Sequence, residues 1–405
     1  MSLFTACSDD DDTSWKEIPQ DEITVGTDGV TLSVNGVAAS TGSVQMTVNN
    51  GSTAVLNLNN VIPGYAKVPV DVELQKQPDG SFNFAGEAGL TTPPSMKTKA
   101  AANAPVIFKV DAQGNISKDG KTAVTITTEL SEEAQGGLAG TWNLLSELPT
   151  AEDMTVLNSP LWITWSAIDP AKTNMESGVY LINVLGGAMV YNLLGNVTFN
   201  ADGNVTANYN NTNPLGMETM MEYMEAMKEK EDGSYYLAKI NKNWADSPKN
   251  LAYWYTKDGL LYVVPNITAI MGQVSSDNGG ESTGGVDLAA LLEVLKQYNI
   301  NIGDLLPAIT EWMSTGIPLK YTASAGGVKV YVDKEMVAPF ITALLPALTP
   351  LQKQIDEILA DPEQMETGFM IQMVMAVFGI EKLTDIATVW NENTKEFEIA
   401  LNLVK

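Results

Sequence analysis

The stretch Val68-Pro-Val-Asp-Val-Glu-Leu74 alternates apolar residues with a proline or an acidic residue. Successive side chains of a strand point to opposite faces, so this pattern predicts a strand with one buried and one exposed face. Similar runs flank it, and turn residues such as Pro78-Asp79-Gly80 separate them. Short strands at this spacing are typical of a sandwich or a small barrel. We therefore predict an N-terminal β-sandwich-like domain over residues 21–135.

A second group of alternating runs begins at Gly140-Thr141-Trp142 and ends at Phe397-Glu-Ile-Ala-Leu-Asn-Leu403. The opening Gly-x-Trp resembles the signature of the first strand in lipocalin-like (calycin) barrels. That resemblance implies a meander of strands that closes on its first member. The predicted fold class is mainly β with helical insertions, with a calycin-like β-barrel over residues 136–405.

Helical patterns interrupt the second group at about 216–231, 286–315 and 335–380. The first would carry a methionine stripe, which either packs on the barrel or forms a docking surface for another protein. Its members are Met217, Met220, Met221, Met224 and Met227. The segment 362–378 is almost wholly apolar after Thr367, which predicts a buried helix that plugs the barrel or lies between the domains.

The formal net charge is −26, and every basic residue is a lysine because the chain contains no arginine and no histidine. An acidic surface without guanidinium groups argues against nucleic acid as a partner. The absence of histidine excludes Ser-His-Asp and Cys-His triads and histidine-containing zinc sites. We therefore expect no cofactor, no metal site and no catalytic activity.

Residues 1–20 are predicted to contain the signals that determine the location of the protein. Leu3 to Cys7 resemble a lipobox, in which the cysteine is acylated, and the following Ser8, Asp9, Asp10, Asp11 and Asp12 resemble an acidic export signal. Together with the two predicted domains, these motifs resemble uncharacterised two-domain surface lipoproteins of Bacteroidota. The resemblance implies lipid attachment at Cys7 and location on the cell-surface side of the outer membrane.

Two groups of aromatic residues are candidates for ligand binding. Trp162 and Trp165 form one group, and Tyr253, Trp254 and Tyr255 form the other. An exposed face of either group would stack a sugar ring or an apolar ligand. The alternative is that both groups fill the core.

The sequence thus favours a non-catalytic surface protein that captures a glycan or a small apolar ligand. A structural or adhesive protein that binds another protein is the alternative. A carboxylate-based hydrolase would need a pair such as Glu222 with Glu225, or Asp169 with Glu176, across a cleft.

Overall fold

The computed structural model describes residues 13–27, 29–39, 41–93, 104–148, 159–210, 222–223, 225–240, 243–267, 269–270, 305–324 and 326–405. The predicted anchor Cys7 and the export signal at Ser8 and Asp9 to Asp12 lie outside these residues. So do Met217, Met220, Met221 and Met224 of the methionine stripe. The described chain is mainly β, with curled half-barrel sheets and several helices.

The first sheet occupies the N-terminal third of the chain. Its nine strands are β1 (Ile23–Thr24), β2 (Val30–Val34), β3 (Val37–Ala38), β4 (Ser43–Asn50), β5 (Thr53–Asn59), β6 (Lys67–Lys76), β7 (Phe82–Leu90), β8 (Phe108–Ile116) and β9 (Thr122–Leu130). They lie in the order β1-β4-β5-β6-β7-β8-β9-β2-β3. β2 pairs with β9 in parallel, whereas β4 to β9 form an antiparallel meander.

The alternation in β6 has the predicted consequence. Val68, Val70 and Val72 are buried in the core, while the residues between them are exposed. Gly80 has a φ of 86°, which suits the predicted turn between β6 and β7 because glycine adopts positive φ without a Cβ clash.

The second sheet contains ten strands, and it branches at its longest strand. The strands are β10 (Gly140–Leu144), β12 (Leu161–Ala167), β13 (Leu194–Phe199), β14 (Val205–Asn210), β17 (Trp244–Asp246), β18 (Ala252–Lys257), β19 (Leu260–Pro265), β20 (Ile317–Ala323), β21 (Gly327–Asp333) and β22 (Thr394–Val404). The main order is β17-β14-β13-β10-β22-β21-β20-β19-β18, and β12 also pairs with β22. β11 (Glu147–Leu148), β15 (Met227–Glu229) and β16 (Tyr235–Leu237) form a separate three-stranded sheet.

Seven α-helices lie wholly within the described residues. They are α1 (Glu132–Gln135), α2 (Met175–Leu193), α3 (Leu306–Thr315), α4 (Lys334–Leu344), α5 (Leu348–Ala360), α6 (Met365–Phe378) and α7 (Asp385–Thr388). Helices α3 to α6 fall within two of the predicted insertions. The expected helix over 216–231 is wrong at its end, since Met227 to Glu229 form β15 and pair with β16.

One hydrophobic core runs through both large sheets. Phe108 of the first sheet packs edge-on against Tyr253 and Tyr255 of the second, with ring centroids 6.0 and 6.5 Å apart. The amide of Asn35 donates to the Tyr253 hydroxyl at 2.8 Å, which adds a polar tie between the sheets. The two sheets therefore pack against each other and share one core.

Helix α6 contradicts the expectation of a buried plug. It packs against α2 and α5 through one side only, with Gly368 and Met375 buried. Several of its apolar side chains, among them Met365 and Phe369, are exposed to solvent. The almost wholly apolar sequence after Thr367 indicated burial, but the described neighbours cover only one face of the helix.

Candidate ligand-binding cleft

The candidate site begins at strand β12, which pairs with β22 and with no other strand among the described residues. Along its other edge lies α2. The side chain of Asn183 on α2 accepts a hydrogen bond from the Ile163 N–H at 2.7 Å and donates one to the Ile163 carbonyl at 3.0 Å. This buried amide therefore satisfies two backbone groups that a neighbouring strand would otherwise pair.

A cleft of about 220 Å³ lies between β12 and α2. Residues 162–166 of β12 form one wall of the cleft, and successive turns of α2 form the opposite wall. The helix contributes Glu176, Val179, Tyr180 and Asn183. Val179 and Asn183 are buried, Tyr180 is half-buried, and Glu176 is exposed at the first turn of the helix. The cleft is therefore lined by apolar side chains together with the Tyr180 ring, the buried Asn183 amide and the exposed Glu176 carboxylate.

Both tryptophans of the first predicted group border this cleft, but Trp162 is buried, with 6% exposure, whereas Trp165 is half-buried. The Trp162 indole N–H donates to the Thr164 hydroxyl at 3.2 Å. The Trp165 indole N–H donates to the Thr394 hydroxyl at 2.8 Å.

The Trp165 ring also packs edge-on against Trp390 and Phe397, with centroids 5.9 and 5.3 Å away. These contacts fix the ring orientation, and a ligand in the cleft would meet aromatic walls that are already ordered.

The second predicted group does not form a binding surface. Tyr253, Trp254 and Tyr255 are exposed by only 1%, 0% and 0%. In a strand their side chains alternate, and both faces are covered. Phe108 packs on the two tyrosines, while Phe199 packs on Trp254 with centroids 5.1 Å apart. The expectation that one face of this group is exposed is therefore wrong.

The tyrosines of the buried group are held by hydrogen bonds. The Tyr255 hydroxyl donates to the Thr315 carbonyl at 2.6 Å, and the Tyr253 hydroxyl donates to the Asn250 side chain at 3.0 Å. Burial raises the pKa of both phenols above the ordinary range of tyrosine. These residues serve the core, with their polar ends satisfied.

A third aromatic group is occupied by a side chain of the protein. The Lys239 ammonium lies 3.7 Å from the ring centroid of Tyr191 and 4.7 Å from that of Trp244. It also donates to the Leu194 carbonyl at 3.1 Å, near the end of α2. The lysine therefore fills the space that a stacked ligand would need.

The proposed carboxylate pairs do not meet in the described cleft. Asp169 accepts a hydrogen bond from the Ala171 N–H at 3.2 Å and lies 3.3 Å from the Lys172 ammonium, so it caps a short 3₁₀-helix. Among the described residues that line the cleft, Glu176 is the one carboxylate. Glu222 and Glu225 are exposed and lie outside the cleft. Glycoside hydrolysis generally needs two carboxyl groups that flank the bond.

A wider groove of about 700 Å³ lies where the two sheets meet. Its described lining consists of neutral polar, glycine and apolar residues, including Ser43, Asn60, Tyr65, Asn266 and Thr310. The buried Tyr65 hydroxyl is engaged with the Thr91 carbonyl. Tyr65 is the one aromatic residue in this described lining and it is buried, so the smaller cleft with the half-buried Trp165 is the better-defined site.

Sequence reasoning missed Tyr180 and Asn183. The usable signal was an asparagine in the middle of the apolar run Val179-Tyr-Leu-Ile-Asn-Val184. A buried amide in such a helix needs partners, and here the partners are the edge of β12.

No group of three or more metal-ligating side chains that could hold an ion is found within the described part of the chain. None of the described helices combines the length and the apolarity needed to cross a membrane. No protein-family description, curated protein or solved structure matches the chain.

Proposed function

We propose that this protein is a lipid-anchored cell-surface protein that captures a small ligand in the cleft between β12 and α2. The ligand has one apolar face and several hydroxyls, as a sugar ring does. The observation that carries this proposal is the half-buried Trp165, ordered by its hydrogen bond to Thr394 at a cleft that Tyr180 and Glu176 of α2 also line. Aromatic faces stack on sugar rings, and nearby polar groups select hydroxyl positions.

Two further parts of the proposal come from the sequence. The lipobox ending at Cys7 and the acidic residues after it support anchoring at the outer face of the outer membrane. The Gly-x-Trp start supports a calycin-like arrangement of the second sheet. A bridge between Asn204 and Tyr253, which links the β13–β14 hairpin to β18, is consistent with a nearly closed sheet.

The size of the cleft limits the ligand. Its volume of about 220 Å³ is below the range of roughly 300–1,000 Å³ that is typical of drug-sized ligand sites. One ring therefore fits, while the rest of a longer glycan would lie outside. For a ligand of this size we expect a Kd in the roughly millimolar to tens of micromolar range.

The test uses the indole N–H signals of the eight tryptophans as site-specific reporters in the ¹⁵N-labelled, unlipidated full chain. A panel of monosaccharides and small cyclic apolar compounds is titrated at millimolar concentration. We expect a saturable shift of the Trp165 signal, while the buried Trp254 signal stays in place. Trp165→Phe and Trp162→Phe assign the signals.

Tyr180→Phe tests the contribution of the Tyr180 hydroxyl to ligand binding, since it removes the hydroxyl and keeps the ring. A hydroxyl-bearing ligand should bind about 5- to 10-fold more weakly to this variant, the typical value of one hydrogen bond. Tyr236→Phe is the control, because Tyr236 lies on the separate three-stranded sheet. Titrations that leave Trp165 unshifted across the panel would refute capture at this cleft.

A protein-binding role is the second candidate function. It is favoured by the exposed apolar side chains of α6.

A further inference from the structure

Helix α6 exposes an unusual apolar face. Six of its side chains are between 36% and 73% exposed. They are Met365, Phe369, Met370, Met373, Val374 and Val377. Met365, Phe369, Met373 and Val377 are spaced four residues apart, so they form a ridge along the helix. A contiguous apolar patch of this size on a soluble domain marks an interaction surface.

Contacts between α6 and α2 hold the exposed apolar face of α6 in place. Met375 is buried against Met175, and Phe378 lies so close to Gly178 of α2 that a Cβ at Gly178 would overlap its ring. Gly379 ends the helix with a φ of 66°. The ridge is therefore preorganised, and a partner would not have to order it.

The charged residues on and around the apolar face of α6 distinguish a membrane surface from a protein as its partner. The face itself carries no lysine, and the acidic residues that flank it in the sequence are Glu363 and Glu366 at one end and Glu381 at the other. Helices that lie on a membrane surface carry lysine or arginine on the polar face and bind anionic lipid. The flanking glutamates and the net charge of −26 oppose such binding.

We propose that the occupant of the α6 face is a second copy of this chain, packed across a two-fold axis with the two α6 helices antiparallel. This inference goes beyond ligand capture and does not depend on it. A two-fold axis uses the same patch on both copies, so an apolar ridge without central charge is complementary to itself. Antiparallel packing also brings Lys382, beyond the end of one helix, towards Glu363 and Glu366 of the other.

The area of the face suits a modest dimer. The exposed parts of six methionine, phenylalanine and valine side chains amount to roughly 500 Å² per copy. With the rim included, a pair of copies would bury more than about 1,000 Å², the lower bound for a specific interface. Since both copies are strongly acidic, salt should strengthen the dimer by screening their repulsion.

The test measures the mass of the unlipidated full chain by sedimentation equilibrium, with a reductant present so that Cys7 cannot link two chains. We expect a monomer–dimer equilibrium whose dissociation constant falls as the salt concentration rises. Phe369→Glu should weaken dimerisation by at least about 30-fold, as expected at the centre of an interface. Val106→Glu is the control, because Val106 is 47% exposed in the N-terminal part of the chain and receives the same charge.

A second measurement does not depend on affinity. In a Cys7→Ser background, Met373→Cys places a thiol midway along the ridge, where antiparallel packing brings it near its own copy. Copper-phenanthroline oxidation should then give a covalent dimer, whereas Val106→Cys should stay monomeric.

Three results would overturn the proposal. The first is a chain that stays monomeric at hundreds of micromolar in high salt. The second is a dimer that Phe369→Glu leaves unchanged. The third is binding to phosphatidylcholine vesicles that Phe369→Glu abolishes, which would assign the face to a membrane. Each result leaves the outcome of the indole titration at the cleft unaffected.

Discussion

The two predicted aromatic groups have opposite environments. Strand β18 carries Tyr253, Trp254 and Tyr255 into the junction between the sheets, where Phe108 covers one face and Phe199 the other. Strand β12 carries Trp162 and Trp165 at a sheet edge beside a helix, where a cleft remains. The residue types are alike, so the difference comes from the position of each strand.

A strand between two covered faces leaves no room for a ligand. At β12 the free edge of the strand is bonded to α2 by the Asn183 side chain, which pairs with the Ile163 backbone. A cleft remains between the strand and the helix next to this amide. Aromatic side chains therefore contribute stability at β18, whereas at β12 the half-buried Trp165 is available for recognition. Substitutions can test this division of roles.

The largest expected effect is that of Trp254→Ala. Trp254 is 0% exposed, and its indole N–H donates to the Asn200 carbonyl at 2.9 Å. The substitution should lower the free energy of unfolding by about 3–5 kcal/mol through the cavity it creates. Trp165→Ala should cost less, about 2 kcal/mol, because Trp165 is only half-buried. Urea unfolding measures both, and equal losses would contradict the division of roles.

The next effect tests the junction without changing an aromatic ring. Gly203 has a φ of 86°, and a Cβ at this position would overlap the Phe108 ring. Gly203→Ala should therefore cost about 2–3 kcal/mol, from backbone strain and from the clash together.

Gly233→Ala is a matched control, since Gly233 has a φ of 81° with open space around its Cβ position. It should cost only about 1 kcal/mol, the part that comes from backbone strain. If the two variants lose the same stability, close packing between Phe108 and the turn at Gly203 is not a constraint.

Local sequence patterns predicted most of the strands. The alternation in β6 and the glycine turn after it both depend on residues close in the chain. The buried environment of β18 could not be predicted in this way. It depends on Phe108, which is more than 140 residues away in sequence.

The site was only partly predictable for the same reason. Two tryptophans three residues apart indicated an aromatic site, but β12 pairs with β22, some 230 positions later in the chain. Asn183 and Tyr180 become relevant only once α2 lies beside that edge. The exposed face of α6 also escaped prediction, because apolar composition indicates what a helix prefers and not whether neighbours cover it.

The third prediction concerns the edge of β12. Asn183→Ala leaves the Ile163 N–H and carbonyl without their side-chain partner, which should cost about 2 kcal/mol. It should also abolish ligand shifts at the Trp165 indole, because the cleft loses the contact that spaces its walls.

Asn192→Ala provides the comparison. Asn192 lies on the same helix and is also buried, but its side chain accepts from the Ile240 N–H and donates to the Ala238 carbonyl, away from the cleft. The loss of stability should be similar while ligand binding is retained. Loss of binding in both variants would show that the cleft responds to the stability of α2 in general and not to Asn183.

The smallest effect is a change in the alkaline pH dependence of stability. Burial raises the pKa of Tyr255 above its ordinary value of about 10, so the folded chain keeps a proton that the unfolded chain releases. Stability should therefore fall as the pH rises above about 10, by about 1.4 kcal/mol per pH unit for each such phenol. Tyr255→Phe removes this proton and also the hydrogen bond to Thr315.

At neutral pH the variant should be less stable than the parent chain by about 1 kcal/mol, the typical value of one hydrogen bond. Above pH 10 its stability should fall less steeply, so the two curves should cross about one pH unit above the unfolded pKa. Urea unfolding between pH 7 and 11.5 measures this. Parallel curves would mean that the Tyr255 hydroxyl ionises as readily in the folded chain as in the unfolded chain, and the junction would then be open to water, as the cleft at β12 is.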